Sequence, residues 1–202
     1  MTLWREKIPL ILASQSRARQ SLLANAGIDF EAVPDEIDER AVQQASGITA
    51  PGDVAALLAR EKSLSVSLRL SDRLVVGADQ TLALGSRLFI KPAGRAQAAE
   101  QLRALAGGVH ELHSAVAVAR DGEILFATAT SARMTMRKLD EADIEAYLDE
   151  AGEAATSSVG AYQLEGLGVH LFERIEGDYF TILGLPLLPL LAFLRSERLL
   201  AA

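Results

Sequence analysis

The chain has 202 residues, of which 50% are hydrophobic, so it can bury a sizeable core as one domain or two small lobes. It contains no cysteine, which excludes disulfides, thiolate zinc sites and a cysteine nucleophile. Its formal net charge of −7 argues against a broad nucleic-acid surface, although a few local cations can still bind a small polyanion.

Strands and helices alternate along the chain in the pattern of an α/β protein. In the first half, the predicted elements are a strand at 10–13, a helix from Ser16 to Gly27, a strand at 30–33, an acidic loop at 35–39, an amphipathic helix at 53–70, a buried strand at 74–78, a turn at 85–86 and a return strand at 88–90. In the second half they are a helix at 95–105, a hairpin of strands 115–119 and 124–130, a helix at 140–147, a Gly-rich stretch at 160–168, a strand at 169–175 and a helix at 189–200. The hairpin is antiparallel and the other connections suit crossovers, which predicts a mixed sheet flanked by helices.

The apolar segments do not favour export or membrane insertion. Charged residues at 5–7 interrupt any candidate signal region, and the longest apolar stretch, 180–194, is too short to span a bilayer and contains two prolines. We therefore expect a cytoplasmic protein with neither a membrane nor a nucleic-acid partner.

A carboxylate follows the buried strand at 74–78. Ligands of open α/β sheets bind beyond the carboxyl ends of the strands, so Asp79 is placed where a functional acid would stand. Gly77 and Ala78 would leave room for a ligand to approach. An Asp that merely caps the next turn is the better interpretation of any lone Asp in this position.

The segment that joins the first strand to the first helix has the composition of an anion site. A helix N-terminus offers free amide donors, and here it carries the hydroxyls of Ser14 and Ser16 and the guanidiniums of Arg17 and Arg19. An ordinary capped helix with solvated arginines explains the same segment about equally well.

Other polar residues carry weaker signals. Lys91 follows a strand and precedes a helix, which predicts its ammonium at the same sheet rim as Asp79, whereas Lys62 in its helix is by itself best interpreted as a solvated lysine. The acidic run 35–39 has oxygen ligands suited to Mg²⁺, although an acidic solvent loop is the commoner explanation. His110 and His113 have no partner cluster and are better interpreted as structural residues than as metal ligands.

Nine short segments in a fixed order carry a family resemblance. They are LILASQS (10–16), IDE (37–39), REK (60–62), GAD (77–79), KP (91–92), GAY (160–162), EGLG (165–168), IEGDY (175–179) and GLPL (184–187). Together they resemble the Maf family of nucleoside triphosphate pyrophosphatases across nearly the whole chain. The resemblance implies one domain over 1–202, with a strongly twisted sheet and two lobes around a nucleotide cleft, as in inosine triphosphatases.

The resemblance also implies an activity, which is metal-dependent cleavage of a nucleoside triphosphate to the monophosphate and pyrophosphate. By position, Asp79 corresponds to the catalytic acid that accepts a proton from the attacking water and also binds metal, and Glu39 to a second metal carboxylate. The metal expected is Mg²⁺ or Mn²⁺. The phosphate-binding set implied by the family and by the helix N-terminus is Ser14, Ser16, Arg19, Lys62 and Lys91.

Two residues point to a branch of the family. Gln80 after the acid, together with Glu165, is similar to the branch that acts on 7-methyl-GTP, whereas the pyrimidine branch typically has Thr and Gln at these positions. A carboxylate also suits the donor edge of guanine. Ala18 departs from both branches, because it replaces an Arg of one and an aromatic residue of the other, so the preferred base stays open between 7-methyl-GTP and dTTP or UTP.

Two other classes of function are weaker alternatives. A non-enzymatic nucleotide-binding regulator of cell division would not require the acid Asp79, and a nucleic-acid-binding module conflicts with the net charge of −7. The family commonly forms dimers, so a homodimer is expected, although no interface can be identified in the sequence.

Overall fold

Seven strands form one mixed sheet in the computed structural model, which describes residues 3–201. The strand order is β2-β1-β3-β5-β6-β7, with β4 paired to β3. β1 is parallel to β2 and to β3, whereas β3–β4 and β6–β7 are antiparallel. The strands are β1 Leu10–Ala13, β2 Phe30–Ala32, β3 Val75–Leu84, β4 Arg87–Phe89, β5 Val109–Arg120, β6 Glu123–Met136 and β7 Phe172–Glu176.

Helices flank this sheet, so the prediction of an α/β fold with a mixed sheet is confirmed. They are α1 Arg17–Asn25, α2 Glu39–Ser46, α3 Pro51–Ser67, α4 Arg95–Leu105, α5 Glu141–Ala151, α6 Ala154–Ser157, α7 Tyr179–Ile182 and α8 Leu187–Ser196, with 3-10 turns at Val159–Ala161 and Leu167–Leu171. Helices α2, α6 and α7 were not predicted from the sequence, and the predicted bounds of the last strand and the last helix differ from the observed bounds by one to four residues. No helix within residues 3–201 is long and apolar enough to cross a membrane.

The chain divides into two compact units. The first contains the described residues up to Gln80, together with Ser114–Thr130 and those from Tyr179 onward. The second contains Thr81–His113 and Ser131–Asp178. Three long strands, β3, β5 and β6, contribute residues to both units.

Strand β3 is buried on both faces in the first unit. Because successive side chains of a strand point to opposite faces of the sheet, the position of each residue fixes the face it lies on. Val76 and Ala78 pack in the cluster that contains Leu190 of α8, whereas Val75 packs with Val66 of α3. Asp79 therefore shares the α3 face with Val75, and the next residue in the strand shares the α8 face.

Asp79 lies inside β3 rather than beyond its end, which corrects the prediction of a strand ending at 78. The parallel partner β1 stops at Ala13, opposite Gly77, and β3 continues to Leu84 because β4 takes up the pairing from Leu82 onward. Asp79 thus stands just past the carboxyl end of β1. An apolar pattern does not reveal a strand that exchanges a parallel partner for an antiparallel one.

Position 77 is a glycine because the backbone of helix α3 occupies the space that a side chain would need. The expectation that Gly77 leaves room for a ligand is therefore wrong. A Cβ at Gly77 would lie 2.2 Å from the carbonyl oxygen of Ala59 and 2.6 Å from the amide nitrogen of Ser63. Helix α3 therefore crosses β3 with its backbone almost in contact with the strand.

The second unit has its own buried aromatic group. His110 is fully buried, its Nε2 lies 2.7 Å from the hydroxyl of Tyr162, and its ring contacts Phe172. Burial lowers the pKa of His110 to about 4, so the ring is neutral at pH 7.

Candidate active site

A buried ion pair joins α3 to β3. Lys62 is one turn beyond Ala59, at the crossing that Gly77 permits, and its Nζ lies 2.7 Å from Oδ1 of Asp79. The two residues are only 6% and 7% exposed. The interpretation of Lys62 as a solvated lysine is therefore wrong, because its helix turns this side chain toward the sheet.

A second carboxylate reaches the same ammonium. Glu39 is the first residue of α2, which begins there because the side chain of Asp38 accepts a hydrogen bond from the amide of Ala41 at 3.0 Å. Its Oε1 lies 2.5 Å from Nζ of Lys62, and its side chain remains half exposed. The acidic run 35–39 thus ends in a helix rather than staying a solvent loop throughout.

The charges of this cluster are strongly coupled. Burial raises the pKa of Asp79, although the positive charges of Lys62 and Arg19 oppose this shift. Burial also lowers the pKa of Lys62, but the charge of Asp79 and hydrogen bonds to both carboxylates outweigh it, so the pKa lies above its ordinary value. Lys62 therefore stays charged near neutral pH, and Asp79 is a stronger base than an ordinary Asp.

The two predicted serines organise the start of α1. Ser16 is the N-cap, as predicted, and its side chain accepts a hydrogen bond from the amide of Arg19 at 3.5 Å. The hydroxyl oxygen of Ser14 accepts from the amide of Ser16 at 3.3 Å and from Nη1 of Arg19 at 3.1 Å. Ser14 follows β1 directly, so the turn from strand to helix places the Ser14 hydroxyl at the guanidinium of Arg19 and the Ser16 hydroxyl at its backbone amide.

Arg19 is held by the protein rather than solvated. Its Nε donates to the carbonyl of Gly184 at 2.7 Å, and its Nη1 donates to the carbonyl of Ala78 at 2.9 Å. Burial lowers its pKa, while the charges of Asp79 and Glu39 raise it, and a guanidinium stays charged in either case. Among residues 3–201, its Nη2 has no hydrogen-bond partner, so these donors remain for an anion.

Gln80 points away from Asp79 and is tied to other parts of the first unit. Its Nε2 lies 2.9 Å from Oγ of Ser114 and 3.0 Å from the carbonyl oxygens of both Thr181 and Ile182. These acceptors fix the direction of the amide, because the Ser114 hydroxyl is itself the donor to the Thr181 carbonyl at 2.6 Å. The side-chain nitrogen of Gln80 is therefore occupied by these hydrogen bonds, and only the side-chain oxygen points away from these acceptors.

Two predicted site residues belong to the second unit. Lys91 follows β4 and Glu165 lies between the two 3-10 turns, and both are exposed. Ala18, in α1, is half-buried. The roles of these three residues stay predictions.

Two residues that support the side chains of the site were not predicted from the sequence. Ser114 is a buried hydroxyl in β5, and Gly184 adopts φ +88° where it accepts from Arg19. The detectable signal for Ser114 was one hydroxyl at the start of the apolar run 115–119. Gly184 lies in the family segment GLPL (184–187), but its role depends on contacts with residues that are distant in sequence.

The two carboxylates of the site suit a metal ion whose coordination shell is completed by the substrate. The carboxylate oxygens of Glu39 and Asp79 flank one ammonium, so they are close enough to contact a common cation. Within residues 3–201, no group of three or more carboxylate or imidazole side chains could hold an ion alone. Mg²⁺ commonly uses one or two carboxylates together with substrate phosphates and water.

Comparisons with known proteins agree on one family. The chain is 69% identical over 201 residues to a nucleoside triphosphate pyrophosphatase of Rhodopseudomonas palustris, and 68% identical over 201 residues to one of Bradyrhizobium diazoefficiens, with both chains covered in full. It is 53% identical over 190 residues to a 7-methyl-GTP pyrophosphatase of Rhizobium meliloti, covering 93% of this chain and 95% of that one. A HAM1 protein from Coxiella burnetii is a more distant structural neighbour, with a TM-score of 0.48 and 18% identity over 94% of this chain and 99% of that one. The model of the family described as Maf-like protein matches residues 9–197, and the chain belongs to that family.

Proposed function

We propose that this chain is a nucleoside triphosphate pyrophosphatase, which hydrolyses its substrate to the monophosphate and pyrophosphate by water attack at the α-phosphate. The observation that carries the proposal is the buried pair of Asp79 and Lys62 beside the guanidinium of Arg19. A carboxylate and two cations in one buried cluster suit a water nucleophile and a polyanionic substrate. The relatives' names support the same reaction.

Asp79 is proposed as the residue that orients the attacking water and accepts its proton. An ordinary Asp is a weak base at neutral pH, and burial improves it because it raises the pKa of the carboxyl group. The adjacent ammonium of Lys62 keeps the carboxylate in place through its 2.7 Å contact.

The phosphate oxygens are assigned to the cations and hydroxyls of the site. Arg19 offers its remaining Nη2 donors, and Ser14 and Ser16 stand at the N-terminus of α1, where backbone amides favour an anion. Lys62 and Lys91 complete the proposed set. Neutralising the oxygens of the reacting phosphate lowers the barrier because the transition state spreads charge over them.

Glu39 and Asp79 are the residues that would hold Mg²⁺ or Mn²⁺. A bound divalent ion supplies charge neutralisation for the phosphates and steadies the leaving pyrophosphate. Since Lys62 already contacts both carboxylates, it must share or exchange these oxygens with the ion.

The preferred base is proposed to be 7-methylguanine, recognised through Gln80 and Glu165. The alternative is a pyrimidine enzyme acting on dTTP or UTP, since Ala18 provides neither the aromatic residue nor the Arg expected of the two branches. The proposed role of this activity is the removal of non-standard nucleotides. We also propose that residues 1–202 act as one domain, in a cytoplasmic homodimer.

The test is a pyrophosphate-release screen over standard and modified triphosphates with Mg²⁺ or Mn²⁺. We expect release from at least one triphosphate, with 7-methyl-GTP preferred, and its loss in the presence of a chelator. No hydrolysis of any triphosphate would refute the enzyme and favour the non-enzymatic regulator, which would still bind nucleotide. A preference for dTTP or UTP would overturn only the proposed base.

A further inference from the structure

The short helix α7 ends with carbonyl groups that side chains from two strands satisfy. A helix leaves its last carbonyls without internal partners, and a single-turn helix has little else to hold it. The carbonyl of Thr181 accepts from Gln80, from Ser114 and from the amide of Gly184, and the carbonyl of Ile182 accepts from Gln80. Gln80 and Ser114 therefore act as the C-terminal cap of α7.

The capped turn leads directly to the residue that holds Arg19. Gly184 follows two residues after Ile182, and its carbonyl accepts the 2.7 Å hydrogen bond from Nε of Arg19. A Cβ at Gly184 would lie 3.3 Å from the guanidinium and 3.6 Å from the amide carbon of Gln80. The amide of Gln80 and the guanidinium of Arg19 thus pack against the same glycine from two directions.

A third contact strengthens the same turn. The hydroxyl of Thr130 lies 2.7 Å from the hydroxyl of Thr181, so β6 also holds the helix that Gln80 caps. Strands β3, β5 and β6 each contribute one side chain to the segment. All of these residues belong to the first unit.

We propose that Gln80 is a positioning residue, whose amide nitrogen fixes the turn 181–184 and thereby presets the guanidinium of Arg19 for phosphate. Its side chain lies on the opposite face of β3 from Asp79, so it acts on the reaction through Arg19. This role is separate from any contact that its oxygen makes with the base. The inference rests on the proposed function, because it takes Arg19 as a phosphate-binding residue.

A phosphate probe without a base separates positioning from base recognition. We would measure the inhibition constant of inorganic tripolyphosphate against triphosphate hydrolysis for wild type, Gln80→Met and Ser114→Ala, with direct calorimetric titration alongside. Gln80→Met keeps the side-chain length and removes the donors, and Ser114→Ala removes a second donor to the Thr181 carbonyl. Gln44→Met, on the exposed surface of α2, is the matched control.

We expect Gln80→Met to weaken tripolyphosphate binding about ten- to hundredfold, with a smaller effect of Ser114→Ala and none of Gln44→Met. A fall in the amount of folded enzyme would lower the apparent kcat but leave an inhibition constant unchanged, so instability alone cannot produce this result. If Gln80→Met raised KM for a single base while tripolyphosphate bound as in wild type, the positioning role would be overturned. If the wild type neither hydrolysed any triphosphate nor bound tripolyphosphate, the proposed function would fail and this inference with it.

Discussion

Nζ of Lys62 lies 2.7 Å from Oδ1 of Asp79, and both side chains are almost fully removed from solvent. This pair is one of the contacts between α3 and the sheet, and it is where the proposed chemistry takes place. A buried charge without its partner is costly, so the two residues are expected to depend on each other for stability as well as for activity.

Lys62→Met is expected to destabilise the protein by about 3–5 kcal/mol, because it leaves Asp79 buried without its counter-ion. The double variant Lys62→Met/Asp79→Asn should regain much of that free energy of unfolding, since neither charge remains. Both the single and the double variant should be inactive. Urea unfolding of the four proteins in this cycle is the measurement, and strictly additive effects of the two substitutions would contradict the coupling.

Asp79→Asn is expected to lower kcat by about 10²–10⁴-fold, because the amide cannot accept the proton of the attacking water. Binding of tripolyphosphate in the absence of metal should be retained, since the proposed phosphate-binding residues are intact. Pyrophosphate release under saturating substrate is the measurement, with Asp72→Asn, in the exposed turn before β3, as control. A variant that turns over at the wild-type rate would remove Asp79 from the mechanism.

Glu39→Gln is expected to weaken Mn²⁺ binding at least about tenfold, because one of the two proposed carboxylate ligands becomes neutral. Mn²⁺ titration followed by electron paramagnetic resonance, in the presence of tripolyphosphate, measures this without relying on turnover. Glu36→Gln is the matched control, since that exposed carboxylate pairs with Arg69 instead. Equal Mn²⁺ affinity of both variants would argue against Glu39 as a ligand.

Gly77→Ala is expected to destabilise the first unit by about 1–3 kcal/mol, because the new methyl group meets the backbone of α3 at Ala59 and Ser63. The helix must shift, which also displaces Lys62 from Asp79, so activity should fall further than the loss of folded protein explains. Gly94→Ala is the control, since a Cβ there meets nothing within 4 Å and its backbone is extended. Thermal unfolding and kcat of both variants test the prediction.

His110 is expected to make stability depend on pH between about 6.5 and 4. The folded state holds the pKa of His110 at about 4, below its ordinary value, so the unfolded chain binds a proton more readily as the pH falls. The protein should lose up to about 3 kcal/mol of stability across this range through this residue. His110→Phe, compared with wild type by urea unfolding at several pH values, should show a shallower decline, and parallel curves would show that His110 does not titrate in this way.

The sequence alone determined the family and the identity of the candidate acid. Ordered motifs such as GAD at 77–79 and GLPL at 184–187 are local in the chain, and the family model confirms the family membership that they indicate. The alternation of apolar strands and amphipathic helices likewise predicted a mixed α/β sheet, because burial against a sheet leaves its period in the sequence. Helix α4 was predicted at its observed bounds, Arg95–Leu105, and the predicted hairpin strands 115–119 and 124–130 lie within β5 and β6.

Only the tertiary structure decided what each polar residue contacts. Lys62 looks like any solvated helix lysine until α3 crosses β3 at Gly77 and turns its ammonium toward Asp79. Gln80 looks like the neighbour of the acid, yet the pleat of β3 sends it to the opposite face, where it caps α7. These partners are separated by up to about a hundred residues in the chain. Their pairing depends on close packing between elements, which local sequence patterns do not encode.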